Sequence, residues 1–131
     1  MKTPARTAVA LLIALAVPVA GMSAAHGSGG GNDVTRRGSC SGSTDWKIKA
    51  KPDNGRIELE AEVDSNHSGQ VWDWTIKHNG SMSAKGASRT RGVSGSFTVR
   101  RLMANVSGTD HFVFRAERRA TGDVCRGTIS L

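Results

Sequence analysis

Two runs of strict alternation meet at Asn54-Gly55, and together they leave the chain little choice of fold. In residues 45–51, Trp46, Ile48 and Ala50 share one side and Lys47, Lys49 and Lys51 the other; in residues 56–64, Ile57, Leu59, Ala61 and Val63 alternate with Glu58, Glu60 and Glu62. A period of two is the signature of a strand with one buried face. Asn-Gly supplies the two positive-φ residues that the tightest hairpin turn requires. With those two residues as the loop, Asp53 faces Arg56, Lys51 faces Glu58, Lys49 faces Glu60, Lys47 faces Glu62 and Trp46 faces Val63. Every outward pair then joins opposite charges and every inward pair is apolar, an agreement that a one-residue slip would destroy. The three glutamates accordingly read as a neutralised outer face rather than as acid-base carboxylates, since nothing buries them.

The same alternation continues downstream. Residues 70–80 place Trp72, Trp74 and Ile76 on one face and Val71, Asp73, Thr75 and Lys77 on the other. The hairpin partner is expected at 81–87. A two-residue Asn79-Gly80 loop would bring Lys85 onto the core face against Trp74. A three-residue His78-Asn79-Gly80 loop instead aligns Ile76 with Met82, Trp74 with Ala84 and Trp72 with Gly86, sets Asp73 opposite Lys85, and is the register expected. Residues 87–95 read as a long exposed connection carrying Arg89 and Arg91. A strand at 96–101 points Phe97 and Val99 inward, with Leu102 plugging the end of the core. Another at 110–117 buries Phe112, Phe114 and Ala116 and turns His111, Val113 and Arg115 outward. After a turn at Thr121-Gly122-Asp123, Cys125, Gly127, Ile129 and Leu131 close the core. The expectation is an all-β, seven-stranded antiparallel sandwich with no helix outside the N-terminal leader.

That leader occupies residues 1–25. Lys2 and Arg6 precede an uncharged apolar run at 7–20, and Ser23-Ala24-Ala25 offers small residues for cleavage, the pattern of a secretory signal peptide. Its fourteen-residue apolar run, interrupted by Pro18, falls short of the roughly 20 residues that span a bilayer. The remaining chain carries 16 basic and 11 acidic residues, a net charge of +5, and only 32 of its 106 residues are apolar. So lean a core calls for a covalent staple, and the only two cysteines of an exported chain, Cys40 and Cys125, supply one disulfide. Residues 26–39, rich in glycine, read as a disordered tether, and 40–131 as the folded domain.

Seven short strands over about ninety residues, with tryptophans on the third and alternation on the sixth, resemble an immunoglobulin or fibronectin type III sandwich. The pattern departs from the antibody domain in lacking cysteines on its second and sixth strands and tyrosine altogether. The alanine-rich leader, the glycine-rich tether and the run from Gly95-Ser96-Phe97 to Cys125-Arg126-Gly127 are similar to small secreted actinobacterial proteins of unassigned function, a resemblance that implies a compartment and a fold but no reaction.

No nucleophile elbow, His-Glu-x-x-His or phosphate-cradling loop points to an enzyme. Asp110 and His111 face opposite sides of one strand, and His67, His78 and His111 read as solvated side chains. After cleavage His26 would be N-terminal, where amine and imidazole could grip copper, but the glycine-rich tether gives such a brace nothing rigid; no cofactor is expected. The aromatics lie in core phase, so no nucleic-acid partner is expected. The sequence points to a secreted, monomeric, non-catalytic binding or structural module with a protein or cell-wall partner. Its candidate binding face is the outer side of the third, sixth and seventh strands, formed by Val71, Asp73, Thr75, His111, Val113, Arg115, Val124 and Arg126. The alternatives are a copper protein using His26, and a cationic binder or inhibitor acting on anionic wall polymers through Arg89, Arg91 and Arg100.

Overall fold

The computed structural model describes residues 32–131; the expected signal peptide, His26 and the first part of the tether lie outside them. Eight strands follow in order: β1 (Val34–Ser39), β2 (Asp45–Asp53), β3 (Arg56–Asp64), β4 (Val71–His78), β5 (Ser81–Arg89), β6 (Ser96–Ala104), β7 (His111–Arg118) and β8 (Val124–Ser130). They form two antiparallel four-stranded sheets, ordered β1-β2-β3-β6 and β5-β4-β7-β8. There is no helix among the described residues, and so none long and apolar enough to cross a membrane.

The β2–β3 hairpin has the expected register at every pair, from Asp53 opposite Arg56 to Trp46 opposite Val63. Asn54 and Gly55 take φ of 49° and 77°, the left-handed values the turn demands. The strand count is eight because Val34–Ser39, expected as tether, pairs antiparallel with β2. Its polar composition hides it from a hydrophobicity argument; its backbone caps an edge of β2 that would otherwise present unpaired N–H and C=O groups. Within this strand position 38 suits only glycine, because a Cβ there would sit 2.5 Å from the Trp46 ring. Here glycine permits close approach rather than flexibility.

The β4–β5 hairpin corrects a second expectation. His78 pairs with Ser81 across a two-residue Asn79-Gly80 loop, and the register shifts between Ile76 and Lys77. Lys77 lies opposite Met82 and Ile76 opposite Ala84, so Ser83 is the extra residue of a β-bulge. Trp74 then meets Gly86, Lys85 turns outward opposite Thr75, and Met82 is exposed instead of facing Ile76. The insertion expected in the loop sits inside the strand.

The core fills the space between the sheets with Trp72, Phe112, Phe114, Ile48, Ile57, Leu59, Ile76 and their smaller neighbours, all essentially without solvent contact. The disulfide joins Cys40, just past β1, to Cys125 on β8. On that side β8 packs against β1 and β2, and Gly127 leaves room for Ile48 and the Trp46 ring. A bond of this kind forms and persists in an oxidising compartment. On the other side β5 and β6 are both sheet edges. Leu102 does not plug the core: it lies opposite Glu58 on the outer face, while the inward position opposite Leu59 belongs to Arg101, whose guanidinium stacks 5.1 Å from the Trp74 ring. A cation over indole is favourable, and an inward charge on an edge strand discourages pairing with another chain.

Candidate functional site

The two outer faces differ in how their charges are spent. On the β1-β2-β3-β6 sheet, Lys47 meets Glu62 at 3.8 Å and Lys51 meets Glu58 at 3.9 Å. Lys49, opposite Glu60 in the ladder, contacts Asp33 at 3.4 Å, and Glu60 is held by Arg100 at 2.8 Å. Arg100 also contacts Glu58, so it is bound into this face and does not join Arg89 and Arg91 as a free cation.

Cross-strand register brings the sequence-derived candidate residues onto one face of the other sheet. Asp73 lies opposite Glu117, itself opposite Val124; Thr75 lines up with Arg115 and Arg126, and Lys77 with Val113 and Thr128. Val71 ends the face opposite Arg89, and His111 ends it opposite Ser130, whose hydroxyl is 2.7 Å from the ring Nδ1. The three valines occupy separate rows, with charged pairs between them, so they do not merge into an apolar patch. Met82, which the sequence had sent inward, joins this face beside Lys77.

The charges on this face pair locally. Arg119, from the β7–β8 turn, donates Nη2 to Asp73 Oδ1 at 2.6 Å and Nε to Oδ2 at 3.1 Å, and Arg115 donates to Glu117 at 2.9 Å. The two-pronged guanidinium holds the Asp73 carboxyl below the usual carboxylate range, chiefly through its hydrogen bonds, and Asp73 in turn raises Arg119. A depressed carboxylate contributes stability above its unfolded-state pKa and loses it as pH falls through the folded value. By carboxyl-carbon NMR, Asp73 should therefore titrate at lower pH in the native protein than in Arg119→Gln; equal midpoints would show that the fork does not persist in solution.

The histidines divide differently from expectation. His67 is exposed on the 65–70 loop and His111 on an outward strand position, as read from sequence. His78 is not solvated: its side chain is 10% exposed, its Nε2 lies 2.6 Å from Asp110 Oδ1, and its ring stacks on Phe112 with centroids 4.5 Å apart. Asp110, 2% exposed, also accepts from the Val106 amide at 3.2 Å. With its amide turned to bring nitrogen forward, Asn105 donates to the second carboxylate oxygen at 3.1 Å. The signal was parity: His78 follows Trp72, Trp74 and Ile76 in phase, and Asp110 precedes Phe112 and Phe114 in phase. The arrangement pins the β6–β7 connection to the end of β4.

At the opposite end of the sandwich, the 65–70 and 90–95 loops are fastened to each other. Thr90, expected on an exposed connection, is buried; its hydroxyl donates to the His67 carbonyl and accepts from the Gln70 amide at 2.9 Å. Ser65 binds the Gly95 carbonyl through both its amide and its hydroxyl, at 3.0 and 3.2 Å. On this base stand Arg89, Arg91, Arg118 and Arg119. Nothing local in the sequence brings the last two here: the β7–β8 turn folds against the start of β4, where the Arg119 amide donates to the Val71 carbonyl at 2.9 Å.

Among the described residues, no three His, Cys, Asp or Glu side chains converge as metal ligands, and both cysteines are in the disulfide. No family model matches the chain, and neither does any curated protein or solved structure.

Proposed function

We propose that this is an exported, non-catalytic binding module on an immunoglobulin or fibronectin type III plan. Lettering the strands from β2, one sheet runs A-B-E with β1 added at its edge, and the other has C, F and G with β5 hydrogen-bonded beside C. That division of a Greek-key sandwich, with an additional strand on the C side, supports the architectural likeness. The disulfide supports an oxidising setting, and the secretory leader read from sequence supports export.

The observation that carries the binding role is the contrast between the two outer faces. One is ruled lysine or arginine against acid across its strands, while the other mixes Val71, Thr75, Val113, Val124 and Met82 with a few local ion pairs. A four-stranded face of mixed polarity, supported from beneath by a filled core, suits a polar protein surface. Partner capture from culture medium by the immobilised chain should be lost in Val113→Glu with the melting temperature unchanged, because Val113 is half-buried among Lys77, Thr128 and Arg115 and contributes nothing to the core. Undiminished capture by that variant would remove this face as the contact.

A further inference from the structure

We propose that the loop end carrying Arg89, Arg91, Arg118 and Arg119 is a binding site for a polymer of repeated phosphate groups that has no aromatic bases. The site adjoins the sheet face above, sharing Val71 and Arg119 with its border, and stands whether or not that face docks a partner.

Two open cavities meet at this end. One of about 620 Å³ runs between the 65–70 loop and Arg118, and another of about 570 Å³ runs between Arg89, Arg91 and the start of β6; Val71 and Arg119 border both. No Asp or Glu lines either of them. Grooves elsewhere on the described surface mix the signs, one carrying Asp45, Glu62 and Asp64 beside Arg37 and Lys47 and another Asp73 and Glu117 beside Lys85 and Arg115. These two cavities differ in being lined by arginine with no carboxylate, the Asp73 partner of Arg119 lying outside their lining.

The arginines are also held in different ways. Arg119 is fixed by the Asp73 fork at the border of the two cavities, and Arg89 donates to the Gly69 carbonyl at 3.0 Å. Among the described residues, Arg91 and Arg118 have no carboxylate within 4.0 Å and the buried Nε of Arg118 has no acceptor. A buried donor without an acceptor is costly, and an anionic oxygen delivered by a ligand would satisfy it. Positioning two arginines on protein acceptors while leaving two without a carboxylate is the arrangement of a preorganised anion site.

The chemistry of the ligand follows from what the cavities offer. Every fixed charge is a planar guanidinium, the group whose paired donors match phosphate oxygens. Cavities on either side of Arg119 suit a chain with charges at repeated intervals better than a single ion. Bases meet no accessible tryptophan or phenylalanine here, since Trp72 is fully buried and Phe97 is 8% exposed, and His67 is the single exposed ring at the cavities, where a single-stranded nucleic acid relies on successive platforms.

The test is titration calorimetry of the purified chain with linear polyphosphate, oligo(dT) and poly-glutamate, alongside Arg91→Gln, Arg118→Gln and Arg100→Gln. Polyphosphate should bind and weaken as salt rises, with about a tenfold loss in either of the first two variants. Arg100→Gln, which removes an equal charge from the opposite sheet, should bind as the unaltered chain does. Exposed Arg91 keeps the comparison valid if the half-buried Arg118 substitution perturbs folding. Absence of polyphosphate binding would overturn the proposal, as would an equal loss in Arg100→Gln, which would reduce the effect to net charge. Equal or tighter binding of oligo(dT) would assign the site to nucleic acid instead, and equal binding of poly-glutamate would remove the preference for phosphate.

Discussion

Replacing Cys40 and Cys125 together with alanine is expected to cost about 4 kcal/mol of unfolding free energy and to lower the melting temperature by roughly 20 °C. The bridge spans 85 residues, nearly the whole folded chain. Cutting it therefore returns to the denatured state almost all the chain entropy that one crosslink can remove. Against a total stability of about 5–15 kcal/mol for a small domain, that loss is a large share. The location adds to it, because Cys125 is fully buried and the bond closes the side on which β8 packs against β1 and β2. Urea denaturation of the oxidised protein, the reduced protein and the double variant checks this. The last two should coincide about 4 kcal/mol below the first; a gap under about 1 kcal/mol would mean that packing on this side suffices without the bridge.

What the sequence disclosed follows the range of the interactions that decide each feature. The β2–β3 register was legible because the turn, the charge pairs and the apolar pairs are all local and all agree. The β4–β5 register was not, although its loop is also Asn-Gly. There the conflict between Lys85 and the core could be relieved by lengthening the loop or by inserting a bulge, and alternation cannot distinguish the two. The chain inserts Ser83 into the strand, which keeps both left-handed turn residues, Asn79 at φ 47° and Gly80 at φ 84°. Strand β1 escaped notice for another reason: Thr35, Arg36 and Arg37 remain exposed, so its place is set by backbone pairing, which carries no side-chain signal.

The surfaces divide along the same line. Parity alone placed Val71, Asp73, Thr75, His111, Val113, Arg115, Val124 and Arg126 on one face, since strands fix which side a residue occupies. Parity could not say that the three valines fall on separate rows, nor that Arg119 reaches back to Asp73, 46 residues earlier. The arginine end depends wholly on such returns, because Arg89, Arg118 and Arg119 arrive from two hairpins that meet only in the folded sandwich. Arg100 marks the converse error: its neighbour in sequence is Arg101, but its partners are Glu58 and Glu60 across the β3–β6 ladder.

The second large effect is expected where the core phase carries polar side chains. Asp110→Ala should cost about 3 kcal/mol, because it leaves the His78 ring, the Val106 amide and the Asn105 amide without their shared acceptor in a site nearly closed to water. His78→Ala should cost a similar amount for a different reason, since it leaves a carboxylate only 2% exposed facing the space the imidazole filled and removes the stack on Phe112. Both substitutions together should cost at least about 1 kcal/mol less than the sum of the singles, because each single variant includes the penalty of a stranded partner that the double variant lacks. Urea denaturation of the four proteins closes the cycle, and additive losses would show that the 2.6 Å contact is adjacency without energetic coupling. Coupling of the expected sign would make the pair a clasp: β4 ends there, the β6–β7 connection is tied to it through Val106 and Asn105, and the backbone of Asp110 bonds Leu131 in both directions. Loosening it should therefore free the end of the sandwich at the Asn79-Gly80 turn while leaving the arginine end, fastened by Thr90 and Ser65, in place.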